Sequence, residues 1–144
     1  MHRLFVSIVS LVVVLLTAAC AAPADLDLAL THATLEKKFV VTLQPPATPT
    51  TINQTPSWRI QVASPTGVPV THARIAVDGG MPQHGHGLPT RPQATQELFD
   101  GTYLLEGMKF SMKGWWEIKL AIQSAEGSDT VTFNTVVAAP VVAR

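Results

Sequence analysis

Two short stretches hold most of the side chains in this sequence that could do chemistry. Gly80-Met81-Pro82-Gln83-His84-Gly85-His86-Gly87 places one thioether and two imidazoles within six residues, and Gly107-Met108-Lys109-Phe110-Ser111-Met112 adds two thioethers. Apart from Met1, every methionine of the chain lies in these two stretches. Thioether sulfur is soft and selects Cu(I), while neutral imidazole binds copper in either common oxidation state. His84 and His86, two apart, project to one side of an extended backbone; Met108 and Met112, four apart, share a face of an extended strand. His84, His86, Met81, Met108 and Met112 are therefore candidate copper ligands, brought together from a loop and a strand end. Zinc fits less well, because a structural zinc site takes four His or Cys ligands and the motif supplies two imidazoles.

A plainer reading stands beside each of these residues. Met108 and Met112 flank Phe110 just ahead of an apolar strand pattern, where methionine commonly fills space in a core. Met81 packs equally well under a loop, and the Gly-rich stretch also reads as a long inter-sheet connection with solvated histidines. His72 reads as a strand-edge residue and His32 as part of a tether.

Other chemistries find less support. No Ser stands in a nucleophile-elbow motif, and the acids Asp78, Glu97, Asp100, Glu106 and Glu117 show no pairing suited to acid/base catalysis. No phosphate-cradling motif is present. Ten basic and ten acidic residues balance, so the chain lacks the basic surface that grips nucleic acid. The expected role is binding, with no enzymatic activity and no nucleic-acid partner.

The N-terminus reads as an export signal. Arg3 precedes an apolar run from Leu4 to Leu16, broken only by Ser7 and Ser10, and the small residues Thr17-Ala18-Ala19 lead to Cys20, the single cysteine. The run is shorter than the roughly 20 apolar residues of a membrane-spanning helix and is followed by Pro23, Asp25 and Asp27. Residues 1–20 are thus expected to be a signal peptide. The small residues before Cys20 resemble the lipobox of bacterial lipoproteins, with Thr17 where that family usually has Leu. The resemblance implies acylation of Cys20 and a lipid anchor in a membrane. Ordinary cleavage after Ala22 or Ala24, giving a soluble secreted protein, is the other reading, and both export the domain from the cytoplasm to the cell envelope, facing the periplasm or the exterior.

Those candidate ligands must be positioned by strands. Residues 21–38 are weakly patterned and read as a tether, with room for a short helix around Thr31 to Lys37. Beyond them, period-two alternation recurs between Pro and Gly punctuation. Phe39, Val41 and Leu43 alternate with Val40 and Thr42; Trp58, Ile60 and Val62 alternate with Arg59 and Gln61. Ala73, Ile75 and Val77 follow the turn Ser64-Pro65-Thr66-Gly67, and Asp100-Gly101 opens a strand from Thr102 to Glu106. Trp116, Ile118, Leu120 and Ile122 form the clearest stripe, and Glu126-Gly127 turns into Thr130 to Val137. Short strands at this spacing predict one all-β domain over residues 39–138, an immunoglobulin-like antiparallel β-sandwich, with a small closed barrel as the alternative. Trp58 and Trp116 are expected core aromatics.

The order of these pieces carries a further resemblance. A Trp-containing strand, then Thr66-Gly67-Val68-Pro69-Val70, then Met81-Pro82-Gln83-His84-Gly85-His86-Gly87, is followed by Asp100-Gly101-Thr102-Tyr103 and Phe110-Ser111-Met112-Lys113-Gly114-Trp115-Trp116-Glu117. Over about Ser57 to Val137 this resembles the YtkA-like domain family, related to the FixH-type envelope proteins. The resemblance implies an immunoglobulin-like sandwich outside the cytoplasmic membrane. FixH-type relatives are associated with oxidase maturation and copper delivery, but this chain departs from them in lacking a retained membrane helix. Two functions follow as expectations: copper capture for storage or handover, or a metal-free module that docks another envelope protein, such as a transporter or respiratory oxidase.

Overall fold

The structure is a computed structural model and describes residues 22–139. Nine strands follow one another: β1 (Thr31–Ala33), β2 (Val40–Gln44), β3 (Trp58–Ala63), β4 (Arg74–Met81), β5 (His86–Gly87), β6 (Gln93–Phe99), β7 (Thr102–Glu106), β8 (Gly114–Ser124) and β9 (Gly127–Val137). Alternation in the sequence becomes alternation in burial. Trp58, Ile60 and Val62 are buried while Arg59 and Gln61 are exposed; Trp116, Ile118, Leu120 and Ile122 are buried while Lys119, Ala121 and Gln123 face solvent. Each aliphatic side chain removed from water in this way contributes about 1.5–3 kcal/mol before entropy is counted.

All pairings between the nine strands are antiparallel, in the order β1-β2-β3-β7-β6-β4-β8-β9, with β5 folded back on β4. Between β6 and β4 the ladder thins to the single pair Ala76↔Gln93. At this seam the strand path folds into two layers, β1-β2-β3-β7-β6 and β4-β8-β9, whose apolar faces merge in one core. Phe110 joins the layers: its ring meets Trp58 of β3 edge-on at 6.3 Å and Trp116 of β8 at 5.3 Å. The all-β sandwich expected from the strand pattern is therefore the fold found.

One tyrosine pins the entry to β4. The Tyr103 hydroxyl, on β7, donates to the carbonyl of Val70 at 2.7 Å and accepts from the amide of Ala73 at 3.0 Å. A hydroxyl tying a strand to an upstream connection is the corner device of immunoglobulin-like sandwiches. Its phenol pKa is raised, chiefly by burial and further by the nearby Glu97 and Glu126 carboxylates, against the lowering effect of the Ala73 amide.

The start of the domain needs correction. The tether reading of 21–38, with a helix near Thr31 to Lys37, gives way to a strand, since Thr31, His32 and Ala33 pair with Thr42, Val41 and Val40. Residues 34–38 then turn around Asp129. Its carboxylate accepts from the Thr34 hydroxyl at 2.6 Å and from the amides of Glu36, Lys38 and Thr130 at 3.1, 3.2 and 2.8 Å. The partner lies nearly a hundred residues away in sequence, so no local pattern signals the turn. His32 likewise belongs to the fold, its ring edge-on to Phe133 at 5.0 Å and 2.9 Å from the Ala29 carbonyl. Strand β6 also carries no clean alternation, for its residues are mostly half-buried or exposed and its pairing with β7 is broken by two register shifts. The leader and Cys20 lie outside the described residues. No helix among the described residues is long and apolar enough to cross a membrane.

Candidate functional site

Strand β4 runs along β8 from Arg74↔Gln123 to Gly80↔Glu117, and its last residues carry the site. There the chain reverses into a hairpin: Gly80 pairs with Gly87 and Met81 with His86. The amides of His84 and Gly85 both donate to the Met81 carbonyl, at 3.1 and 3.0 Å, and Leu88 returns a bond to the Gly79 carbonyl at 3.1 Å. Gly85 sits at φ 64, in the left-handed region that glycine enters at no steric cost. Gly79 and Gly80 are needed for a different reason. A Cβ on Gly79 would overlap the backbone carbonyl of Glu117, and one on Gly80 the carbonyl of His86. The pair of glycines therefore lets β4 lie between β8 and β5 without a side chain in the way.

Pro82 to Gly87 are all exposed, and the hairpin holds the two imidazoles side by side with ring centroids 6.2 Å apart and planes 22° apart. With metal–nitrogen bonds of about 2.0 Å, an ion lies roughly 3 Å from the centroid of each imidazole that binds it. Two rings on one ion thus keep centroids roughly 4.5–6.5 Å apart, depending on the angle at the metal. The observed separation falls in that range. Beside the hairpin is a shallow cleft of about 280 Å³ lined by Asp78, His86, Glu117 and Lys119, with Lys119 paired to Glu117 at 3.0 Å. Among the described residues, no group of three His, Cys, Asp or Glu side chains gathers closely enough to hold a metal ion.

The methionines are distributed differently from the histidines. Met81 is buried, with its methyl group against Gly114, where an added Cβ would stand 3.1 Å from it. The His/Met stretch thus does adjoin the segment that follows Met112. Met108, however, is fully buried in the core, while Met112 is exposed and offers its backbone carbonyl to the Trp116 indole N–H at 3.0 Å. The expected shared face of Met108 and Met112 does not form, because residues 107–113 are a connection and not a strand. His72 lies away from the hairpin, at φ 58, with its amide donating to Glu97 at 2.8 Å. Sequence reasoning missed Gly79 and Gly80 as positioning residues, although a Gly-Gly step inside a strand pattern is a signal of close backbone approach.

A family model described as YtkA-like matches residues 34–121. The chain belongs to the YtkA-like family. No curated protein and no solved structure matches it. In this YtkA-like chain the match opens at Thr34, on the turn held by Asp129, and encloses the hairpin. It closes within β8, so β9, which supplies Val131 and Phe133 to the core, lies beyond it.

Proposed function

We propose that this YtkA-like chain is an exported module of the bacterial envelope, anchored through an acylated Cys20, that takes up copper on the β4–β5 hairpin for storage or handover. The observation that carries the reading is the pair His84 and His86, exposed, side by side and 6.2 Å apart on a backbone set by glycines. Two imidazoles suffice for Cu(I), and a site open to solvent on most sides suits an ion that is to be passed on. The donor chemistry fits copper through the imidazoles; Met81 and Met108, both buried, belong to the packing that supports the hairpin.

A Cu(I) competition titration against a chromophoric chelator tests this, run on the parent chain and on a His84→Ala/His86→Ala variant. Both side chains are exposed, so the variant is expected to fold as the parent does. One Cu(I) per parent chain, lost in the variant, is the expected result. Absence of Cu(I) binding by the parent would overturn the copper reading and leave a metal-free module that docks another envelope protein.

A further inference from the structure

The hairpin supplies two donors, whereas Cu(II) prefers a tetragonal set of four. No third His, Cys, Asp or Glu completes such a cluster among the described residues. Further side-chain donors of these types therefore come from outside the described residues, and the surroundings of the two rings define what can approach. A Cβ on Gly85 would meet open space, and the nearest atom to one on Gly87 is the Gly79 carbonyl at 3.8 Å. From Gly79 to Thr90 the sequence contains no Asp, Glu, Lys or Arg. Two hairpins can therefore meet tip to tip with little side-chain bulk and no charge on the hairpins themselves, while Asp78 and the Glu117–Lys119 pair stand beside them.

We propose that Cu(II) is bound between two copies of this chain, by His84 and His86 of each, in a two-fold site of four imidazoles. The inference rests on the copper reading of the hairpin and extends it by naming the second copy as the partner. A two-fold contact places the same patch on both sides, so one pair of ligands per chain becomes the four that the ion needs. The interface is small, and the metal is what holds it together. Cu(I), satisfied by two imidazoles, stays on a single chain, so oxidation state decides whether the protein assembles.

The test uses the chain from residue 22 onward, which contains every strand and the whole core described above. Cu(II) is titrated in a weakly coordinating buffer while mass is followed by light scattering and the nitrogen couplings by electron paramagnetic resonance. Cu(I) is titrated separately without oxygen. Saturation at one Cu(II) per two chains, a doubled mass reversed by EDTA and couplings from four nitrogens are expected. His86→Ala should weaken Cu(II) binding by about tenfold or more, the scale on which disturbed metal sites lose affinity. One Cu(II) on each monomer, or Cu(I) binding with no Cu(II)-driven doubling, would overturn the two-copy site and leave the carrier reading intact. Doubling that persists in the His84→Ala/His86→Ala variant would also overturn it, by placing the contact elsewhere. Failure to bind either ion would remove both.

Discussion

Replacing the hydroxyl of Tyr103 tests how the entry to β4 is held. In Tyr103→Phe the ring keeps its place, but the Val70 carbonyl loses the hydroxyl at 2.7 Å and the Ala73 amide loses its acceptor at 3.0 Å. Val70 is buried, so its carbonyl has little water to turn to, whereas the half-buried Ala73 is better placed to recover a partner. Leaving one buried acceptor unmade costs about 1–3 kcal/mol, so a loss of about 1–2 kcal/mol is expected. For a domain of this size that lowers the melting temperature by roughly 4–8 °C. The alkaline side gives a second readout. Burial raises the Tyr103 pKa in the fold above the ordinary phenol value of about 10. Between those two values the folded state holds a proton that the unfolded state has released. The stabilisation is complete below pH about 10 and falls as pH rises through the folded pKa. Tyr103 is the single tyrosine, so its ionisation can be followed directly by ultraviolet absorbance. Urea denaturation of both proteins at pH 7 and across the alkaline range supplies the measurement. A difference below about 0.3 kcal/mol at pH 7, or an alkaline decline of equal size in the variant, would refute the assigned role.

Other outcomes follow from named contacts. Burial alone would raise the Asp129 pKa, but hydrogen bonds from Thr34, Glu36, Thr130 and Lys38 outweigh it and hold the carboxyl at about 2. Because the folded value lies below the unfolded one, its stabilisation is present above pH about 4 and is lost as pH falls towards 2; Asp129→Asn should flatten that acid limb in circular dichroism melts. Gly80→Ala forces β5 away from β4 at the His86 carbonyl, so Cu(I) affinity should fall by about tenfold or more while the circular dichroism spectrum stays that of the parent. Met108→Leu should keep copper affinity unchanged and cost less than about 1.5 kcal/mol, whereas Met108→Ala should cost about 2–5 kcal/mol in urea unfolding. Loss of copper binding in a folded Met108→Leu protein would make that thioether a ligand after all.

Much of the sandwich is legible in the sequence, because a strand with one face in the core repeats every two residues. Phe39-Val41-Leu43, Trp58-Ile60-Val62 and Trp116-Ile118-Leu120-Ile122 announce their burial by spacing alone, and Asp100-Gly101 marks its turn by composition. The hairpin histidines also stand out in the sequence, as two imidazoles spaced by glycines. Tertiary structure alone decided the remainder. Residues 21–38 read as a tether, yet Thr31 to Ala33 pair with β2 and the turn after them gives the Thr34 hydroxyl and the Glu36 and Lys38 amides to Asp129, far along the chain. Met108 and Met112 have the same chemistry and similar neighbours, yet one is sealed in the core and the other faces solvent, since their segment bends across the sandwich and breaks the strand period. Spacing of two placed His84 and His86 on one side only on the assumption of an extended backbone, whereas the actual juxtaposition comes from a tight turn closed on the Met81 carbonyl. Local periodicity reports which face of an element meets the core; which distant element it meets, and how a turn aims its side chains, depends on contacts that sequence spacing does not encode.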